Sequence, residues 1–211
     1  MLTYFLIGAA LGALTGVPIG PLSVAIIDAA YRHHLRRAVA IAVGGALADL
    51  TYAAVGILGL GPLLIAHKAV PPILYGMSGV VLIIYGVLTV RAQPIDPGGA
   101  GQEEAIGKHY FWGGFGLGVA LILLNPATLI TWVVIVGSAM ADTTQSEGLA
   151  AALGVGAGSA FWFTTVAYLA DHGKKVLGKK AVWITRVVGL ALIGYGVFSI
   201  GRAAWYVYRA V

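Results

Sequence analysis

The chain has 211 residues, of which 59% are hydrophobic and only 10% are charged. Soluble domains carry roughly 25% charged residues, so this composition excludes a water-soluble fold and indicates a protein embedded in a bilayer. The net charge is +5, and the basic residues cluster in short loops, which favours lipid headgroups over nucleic acid as partners. The chain has no cysteine, which excludes thiol redox chemistry and metal sites built on thiolates.

Six stretches are apolar enough to cross a membrane, which needs about 20 mostly apolar residues. No Lys or Arg precedes the first stretch, so we expect it to be retained as a membrane helix and not removed as a secretory signal. Residues 92–110, rich in Pro, Gly and acidic side chains, are predicted to form a cytoplasmic linker. The six predicted helices cover about 3–30, 38–61, 70–91, 111–140, 148–170 and 182–206.

The distribution of basic residues predicts the orientation in the cell's inner membrane. Ten of the 13 Lys and Arg residues fall in the loops after the first, third and fifth helices. Only Lys68, Arg202 and Arg209 fall on the opposite side. Because basic loops stay in the cytoplasm, both termini are predicted to lie outside.

An internal repeat is visible in the third and sixth helices. Residues 79–87, Gly-Val-Val-Leu-Ile-Ile-Tyr-Gly-Val, match residues 189–197, Gly-Leu-Ala-Leu-Ile-Gly-Tyr-Gly-Val, at an offset of 110. This offset aligns Asp49 with Ser159 and Tyr52 with Trp162. We therefore predict two three-helix repeats, 1–91 and 111–211, the second inverted because each has an odd number of helices. The alternative is that Gly-rich apolar helices resemble one another by composition.

Two proline motifs are predicted to break the first and fourth helices: Gly16-Val-Pro18-Ile-Gly20-Pro21 and Asn125-Pro126. Asn can cap a helix and Pro can occupy its first turn. Each break would place the N-terminus of a half-helix near the bilayer midplane, where free N–H groups and the helix dipole favour an anion such as a carboxylate. The alternative for both motifs is a packing kink.

Asp49 is the most informative single residue. It lies 11 residues into the second predicted helix, about 16 Å along the axis, which is near the middle of a ~30 Å hydrocarbon core. A buried carboxylate is costly there and is usually kept for an ion path, a proton relay or a substrate cation. Its structural alternative is a helix clamp, with Thr51 or Ser159 as partner. Asp28 is expected to pair with Arg32 at the cytoplasmic end of the first helix, with gating as the alternative.

Several motifs together resemble the lysine exporter (LysE/RhtB) family over nearly the whole chain. They are the first proline motif, the basic turn at 32–37, residues 44–52 (Gly-Gly-Ala-Leu-Ala-Asp-Leu-Thr-Tyr), residues 56–59 and residues 116–126 ending in Leu-Asn-Pro. The resemblance implies efflux of amino acids or related metabolites, driven by an ion gradient, and allows a homodimer. Val17-Pro18-Ile19 departs from the Pro-Gly-Pro of many members, so the substrate within the family stays open.

The sequence thus predicts an all-α secondary exporter of amino acids or related small metabolites, with no enzymatic activity, cofactor or metal centre. Asp49 would bind the substrate amine or carry the coupling H⁺ or Na⁺. One alternative is a cation or metal-ion transporter or channel, which the expectation of a single strongly buried carboxylate disfavours; another is a membrane scaffold. The predicted substrate-binding residues are Pro18, Gly20, Pro21, Asp49, Tyr52, Asn125, Pro126, Ser159 and Trp162.

Overall fold

The computed structural model describes residues 1–16, 20–32, 35–58, 67, 69–91, 103–139, 143–177 and 181–210. Within these ranges all regular secondary structure is helical, and no strand occurs. The helices are α1 (Leu2–Gly16), α2 (Pro21–Arg32), α3 (Leu35–Ile57), α4 (Val70–Arg91), α5 (Glu103–Leu123), α6 (Pro126–Ala139), α7 (Gln145–Leu177) and α8 (Ala181–Ala210).

Helix length and hydropathy identify four to six candidate membrane spans among the described residues. Four single helices, α3, α4, α7 and α8, contain a segment long and apolar enough to cross a bilayer. Two bent pairs also qualify when each is counted as one span: α1 with α2, bent by 73°, and α5 with α6, bent by 65°. The predicted all-α membrane class is therefore confirmed, and the chain is a multi-pass membrane protein.

The first helix break follows from residue chemistry. α1 ends at Gly16 and α2 begins at Pro21. The carbonyl of Gly20 accepts the N–H of Val24 at 3.1 Å, which makes Gly20 the residue that caps α2. Proline suits the first helical position because the N–H that it lacks would have no partner inside the helix there. Pro18 lies outside the described residues.

At the second break, Asn125 lies between α5 and α6 and caps the N-terminus of α6. Its Oδ1 accepts the backbone N–H of Ala127 at 3.0 Å, and its carbonyl accepts the N–H of Thr128 at 3.1 Å. An Asn at this position satisfies donors that the first turn of a helix would otherwise leave without a partner. The predicted cap is therefore confirmed.

Glycines allow the long helices to pack closely. A Cβ added at Gly154 or Gly158 would collide with the carbonyl of Phe5 or Ala9 on α1, and one at Gly44 would collide with the carbonyl of Phe115 on α5. The helices can approach so closely only because these positions carry no side chain. α1 thus packs on α7, and α3 packs on both α5 and α7.

Helix α2 lies at the centre of the bundle, where it contacts α3, α7 and α8. Its side chains Ala25, Ile26, Ala29 and Ala30 are fully buried. By contrast, α4 and α8 pack chiefly on one another and make few contacts with the other helices. The bundle therefore consists of a tightly packed body and a less tightly attached α4–α8 pair.

Two predicted boundaries differ from the structure by seven or eight residues. α5 begins at Glu103, inside the predicted linker 92–110 and eight residues before the predicted helix start at 111, and α7 continues to Leu177, seven residues past the predicted end at 170. Both extensions are polar, so hydropathy did not predict them, whereas backbone hydrogen bonding continues a helix whatever its polarity. Residues 92–102 of the predicted linker lie outside the described residues.

Candidate functional site

A cavity of about 520 Å³ lies where α2 and α6 begin. Residues 20–23 at the start of α2 and Asn125, Ala127 and Thr128 at the start of α6 contribute to its wall. Further lining comes from α1, the last turn of α5, α6, one residue of α7 and Asp49 of α3. The size falls within the range of cavities that bind small molecules, roughly 300–1,000 Å³.

Asp49 faces this cavity although its side chain is only 4% exposed. The indole N–H of Trp132 on α6 donates to Oδ1 at 3.0 Å, and the hydroxyl of Ser159 on α7 donates to Oδ2 at 2.9 Å. The carboxylate thus joins three helices at the cavity wall. Ser159 was one of the two partners predicted for Asp49, and this hydrogen bond confirms it.

The hydroxyl of Ser159 has a second acceptor. Its Oγ lies 3.3 Å from the carbonyl oxygen of Gly12 on α1, in addition to 2.9 Å from Asp49. A serine hydroxyl has one proton to donate, and its oxygen can also accept a hydrogen bond. Ser159 can therefore donate to Asp49 when that carboxyl is ionised, or accept from it and donate to Gly12 when the carboxyl is protonated.

The starts of two helices meet at the same cavity. The first turn of a helix presents N–H groups without intrahelical partners, and the helix dipole adds partial positive charge. At the start of α6 the N–H groups of Ala127 and Thr128 are already bonded to Asn125, so the dipole is what this helix end contributes. The start of α2 lines the cavity through Leu22 and Ser23, and the start of α6 lines it through Ala127 and Thr128. Together with Asp49, the cavity thus combines one negative side chain with two weakly positive helix ends.

Apart from Pro18, which lies outside the described residues, the predicted site residues divide into three groups. Gly20, Pro21, Asp49 and Asn125 line the cavity, whereas Ser159 contacts Asp49 and Pro126 begins α6 beside it. The hydroxyl of Tyr52 instead donates to the carbonyl of Leu123 at the end of α5, and Trp162 packs against Gly16. Neither Tyr52 nor Trp162 is among the described residues that line the cavity.

The alternative partner predicted for Asp49, Thr51, does not contact it. Its hydroxyl donates to the carbonyl of Leu47 within α3, at 2.8 Å. The physical reason is helix geometry, because residues two positions apart point to different sides of a helix.

The sequence analysis missed one buried polar residue, Trp132, and placed another, Asp28, at the cytoplasmic end of the first helix with Arg32 as its expected partner. Trp132 is 1% exposed and contacts Asp49; a Trp six residues inside a membrane half-helix, and so away from the interface, is a signal that its N–H needs a buried partner. Asp28 is 3% exposed and accepts hydrogen bonds from the hydroxyls of Tyr85 at 3.2 Å and Thr89 at 3.3 Å, both on α4. Two carboxylates are therefore buried among the side chains that the structure describes, and the expectation of only one was wrong. The Arg32 side chain lies outside the described residues.

Helices that begin at a shared cavity inside a multi-pass bundle are characteristic of secondary transporters. The sequence profile of the LysE type translocator family matches residues 13–201, and the chain belongs to this family. The chain is also 26% identical, over 204 residues and 93% of each chain, to a Bacillus subtilis (strain 168) protein named "Putative amino acid efflux protein YcgF". No solved structure matches the chain significantly. The predicted family resemblance is confirmed.

Proposed function

We propose that the protein is a secondary active exporter of amino acids or related small metabolites across the inner membrane. The observation that carries the proposal is the cavity that Asp49 shares with the starts of α2 and α6. An α-amino acid carries an ammonium and a carboxylate on adjacent atoms. Asp49 complements the ammonium, and the helix N-termini complement the carboxylate, so that neither charge is buried without a partner. The similarity to a protein named for amino acid efflux supports the same substrate class.

Asp49 is also the proposed site of coupling to an ion gradient. Burial disfavours the charged form of a carboxyl group, whereas a bound ammonium favours it. Both forms find hydrogen-bond partners, because the Ser159 hydroxyl can exchange its acceptor between Asp49 and the Gly12 carbonyl. Proton binding and amine binding would therefore compete at one group, which is the requirement for exchange of H⁺ against substrate; Na⁺ is the other coupling ion to test.

Inverted repeats would provide alternating access to this site near the bilayer midplane. The contacts of the glycines support the repeat: a Cβ at Gly8 would meet the carbonyl of Ala151, and one at Gly118 would meet the carbonyl of Ile41. Gly118 follows Gly8 by 110 residues, and Ala151 follows Ile41 by 110 residues, so the two contacts are repeat-related.

The basic loops support an orientation with both termini outside. Because the chain has no cysteine, a single introduced cysteine is the one thiol that a labelling reagent can modify. Thr3→Cys and Ser146→Cys should react with an impermeant thiol reagent from outside, and Arg91→Cys should react only after the membrane is opened. The reverse labelling pattern would contradict the orientation.

Cation transport is less well supported by the geometry at Asp49. Both carboxylate oxygens already accept hydrogen bonds, one of them from an indole N–H, which can only donate. A hard divalent cation also takes six or more oxygen ligands. A homodimer stays a prediction from the family resemblance.

The test is efflux of amino acids from proteoliposomes that contain the wild type or Asp49→Asn. Asn keeps the shape and can accept from Trp132 while donating to Ser159, so the variant should fold. Removing the charge should lower efflux at least about tenfold, since hydrogen bonds to charged groups contribute roughly 1.5–3 kcal/mol.

The matched control is Glu147→Gln, which removes an exposed carboxylate at the start of α7, where Thr144 is its partner. This variant should keep its flux. Wild-type flux from a folded Asp49→Asn, shown by an unchanged melting temperature, would exclude a charge-based mechanism.

A further inference from the structure

The wall of the cavity beyond Asp49 and the helix starts is mainly apolar. Leu11 and Leu14 of α1 line it, and so do Leu121 and Ile122 of α5, Ile135 of α6 and Phe163 of α7. Leu121, Ile122 and Phe163 are buried in the protein. These three side chains thus form an apolar surface that faces the cavity and is not exposed on the outside of the protein.

The charges of the cavity are correspondingly few. Among the described residues that line it, Asp49 is the one ionisable side chain, and none is Lys, Arg or His. Val17, Pro18 and Ile19, which connect α1 to the cavity residue Gly20 along the chain, are uncharged by sequence.

The cavity also contains four hydroxyl groups, from Thr15, Ser23, Thr128 and Thr131. Two of them donate within their own helices: Thr15 to the carbonyl of Gly12 at 3.0 Å and Thr131 to that of Ala127 at 2.8 Å. Hydroxyl groups do not supply the full charge that a second ionised group on a ligand requires.

The charges of the described lining residues and of the two helix starts balance one ammonium and one carboxylate and no more. The side-chain ammonium of a dibasic amino acid would face Leu, Ile and Phe without a second carboxylate. The side-chain carboxylate of an acidic amino acid would lack a cation. An unpaired charge near the centre of a membrane protein is strongly unfavourable, so both kinds of ligand should be rejected.

We propose that the site selects α-amino acids with uncharged, mainly apolar side chains, which bind against Leu121, Ile122 and Phe163. This proposal rests on the proposed function and narrows its substrate class. Phe163 lies four residues after Ser159, one turn along the same face of α7. It also lies against Gly16 at the end of α1, since a Cβ built there would be 3.1 Å from its ring. Phe163 is therefore placed to limit the length of the bound side chain.

The first experiment measures counterflow of labelled leucine in proteoliposomes that contain the full-length wild type. Unlabelled leucine, isoleucine, methionine, valine and phenylalanine should compete, whereas lysine, arginine, glutamate and aspartate should be at least about tenfold weaker, because each adds one unpaired charge. Lysine or glutamate that competes as well as leucine would overturn the selectivity and leave amino-acid export standing. Absence of counterflow with every amino acid, in protein that is folded, would overturn the proposed function itself.

The second experiment adds the missing charge. Thr131 lines the cavity and is exposed, so Thr131→Asp places a second carboxylate there with little disturbance of packing. The variant should gain competition by lysine at least about tenfold relative to the wild type. Thr131→Asn, which has the same shape without the charge, should gain none. Equal gains in both variants, or no gain in a folded Thr131→Asp, would contradict the proposal.

Discussion

Asp49 and Asp28 are two buried carboxylates that are almost equally inaccessible and yet differ in their surroundings. Asp49 faces the cavity and accepts from an indole N–H and a shared serine hydroxyl. Asp28 is not among the described residues that line the cavity, and it accepts from two hydroxyls of α4. Burial alone therefore does not identify a functional carboxylate; access to a cavity and the nature of the donors do.

The Asp28 contacts are also a link between two parts of the bundle. α2 belongs to the central body, whereas α4 packs chiefly with α8. Hydrogen bonds to a buried carboxylate contribute roughly 1.5–3 kcal/mol each when it is ionised. We expect Asp28 to contribute to the attachment of the α4–α8 pair and Asp49 to contribute to transport.

The largest difference between Asp49 and Asp28 is expected from two matched variants, each of which removes one hydrogen-bond donor from one of these carboxylates. Trp132→Phe removes one donor from Asp49, and Tyr85→Phe removes one donor from Asp28. Trp132→Phe should weaken substrate affinity about ten- to hundredfold, whereas Tyr85→Phe should lower the free energy of unfolding by about 1–3 kcal/mol with affinity unchanged. Ligand-dependent melting curves measure both quantities, because a bound ligand raises apparent stability. A Tyr85→Phe variant that loses affinity would remove the distinction between the two carboxylates.

A smaller effect on ligand affinity is expected at the N-terminal cap of α6. Asn125→Ala removes the side-chain acceptor at the start of α6 and should cost about 1 kcal/mol of stability. Because the uncapped first turn then frays and the dipole end of α6 is no longer held at the cavity, binding of an amino acid should also weaken several-fold. Binding of the corresponding amino-acid amide, which has no carboxylate, should not weaken.

The control for this prediction is Thr144→Ala at the start of α7. There the Thr144 hydroxyl accepts the N–H of Glu147 at 3.4 Å, and the Glu147 carboxylate accepts the N–H of Thr144 at 3.0 Å. The same kind of cap is lost, yet Thr144 does not line the cavity, so ligand affinity should not change. Equal losses for the acid and the amide in Asn125→Ala would mean that α6 does not bind the carboxylate.

The smallest effect is expected at Ser159. Ser159→Ala leaves the Trp132 contact with Asp49 intact and removes one of its two donors, so affinity should fall about three- to tenfold. Thr165→Ala is the control on the same helix, because its hydroxyl donates only to the carbonyl of Phe161. Isothermal titration calorimetry on the purified variants would compare their affinities. Unchanged affinity in Ser159→Ala would mean that this hydroxyl serves packing and not binding.

Local chemistry made part of the site predictable. Pro21 and Asn125 were identified because proline and asparagine act on the helix turn that contains or follows them, whatever the rest of the chain does. Ser159 was identified as a partner of Asp49 through the repeat offset, a pattern that needs no coordinates. The same offset also singled out Tyr52, whose hydroxyl donates to the carbonyl of Leu123 and which does not line the cavity, because an offset aligns positions and does not say which way a side chain points.

The contacts of Asp28 could not be predicted from the residues close to it in the sequence. Spacing along the helix suggested a pair with Arg32 four residues on, whereas the described contacts come from Tyr85 and Thr89, more than 50 residues away. Trp132 and Asp49 are likewise 83 residues apart. Contacts of this kind depend on how helices rotate against one another.

The sequence by itself determined the membrane class, the positions of both helix breaks and the scarcity of charge in the apolar segments, since hydropathy and the backbone restrictions of proline and glycine act over one or two helical turns. Only the tertiary structure decided that the two helix starts open into one cavity with Asp49, and that Asp28 faces α4. The physical reason is that glycine and alanine let helices approach closely but do not specify the partner face; that choice is made jointly by the packing of all the helices.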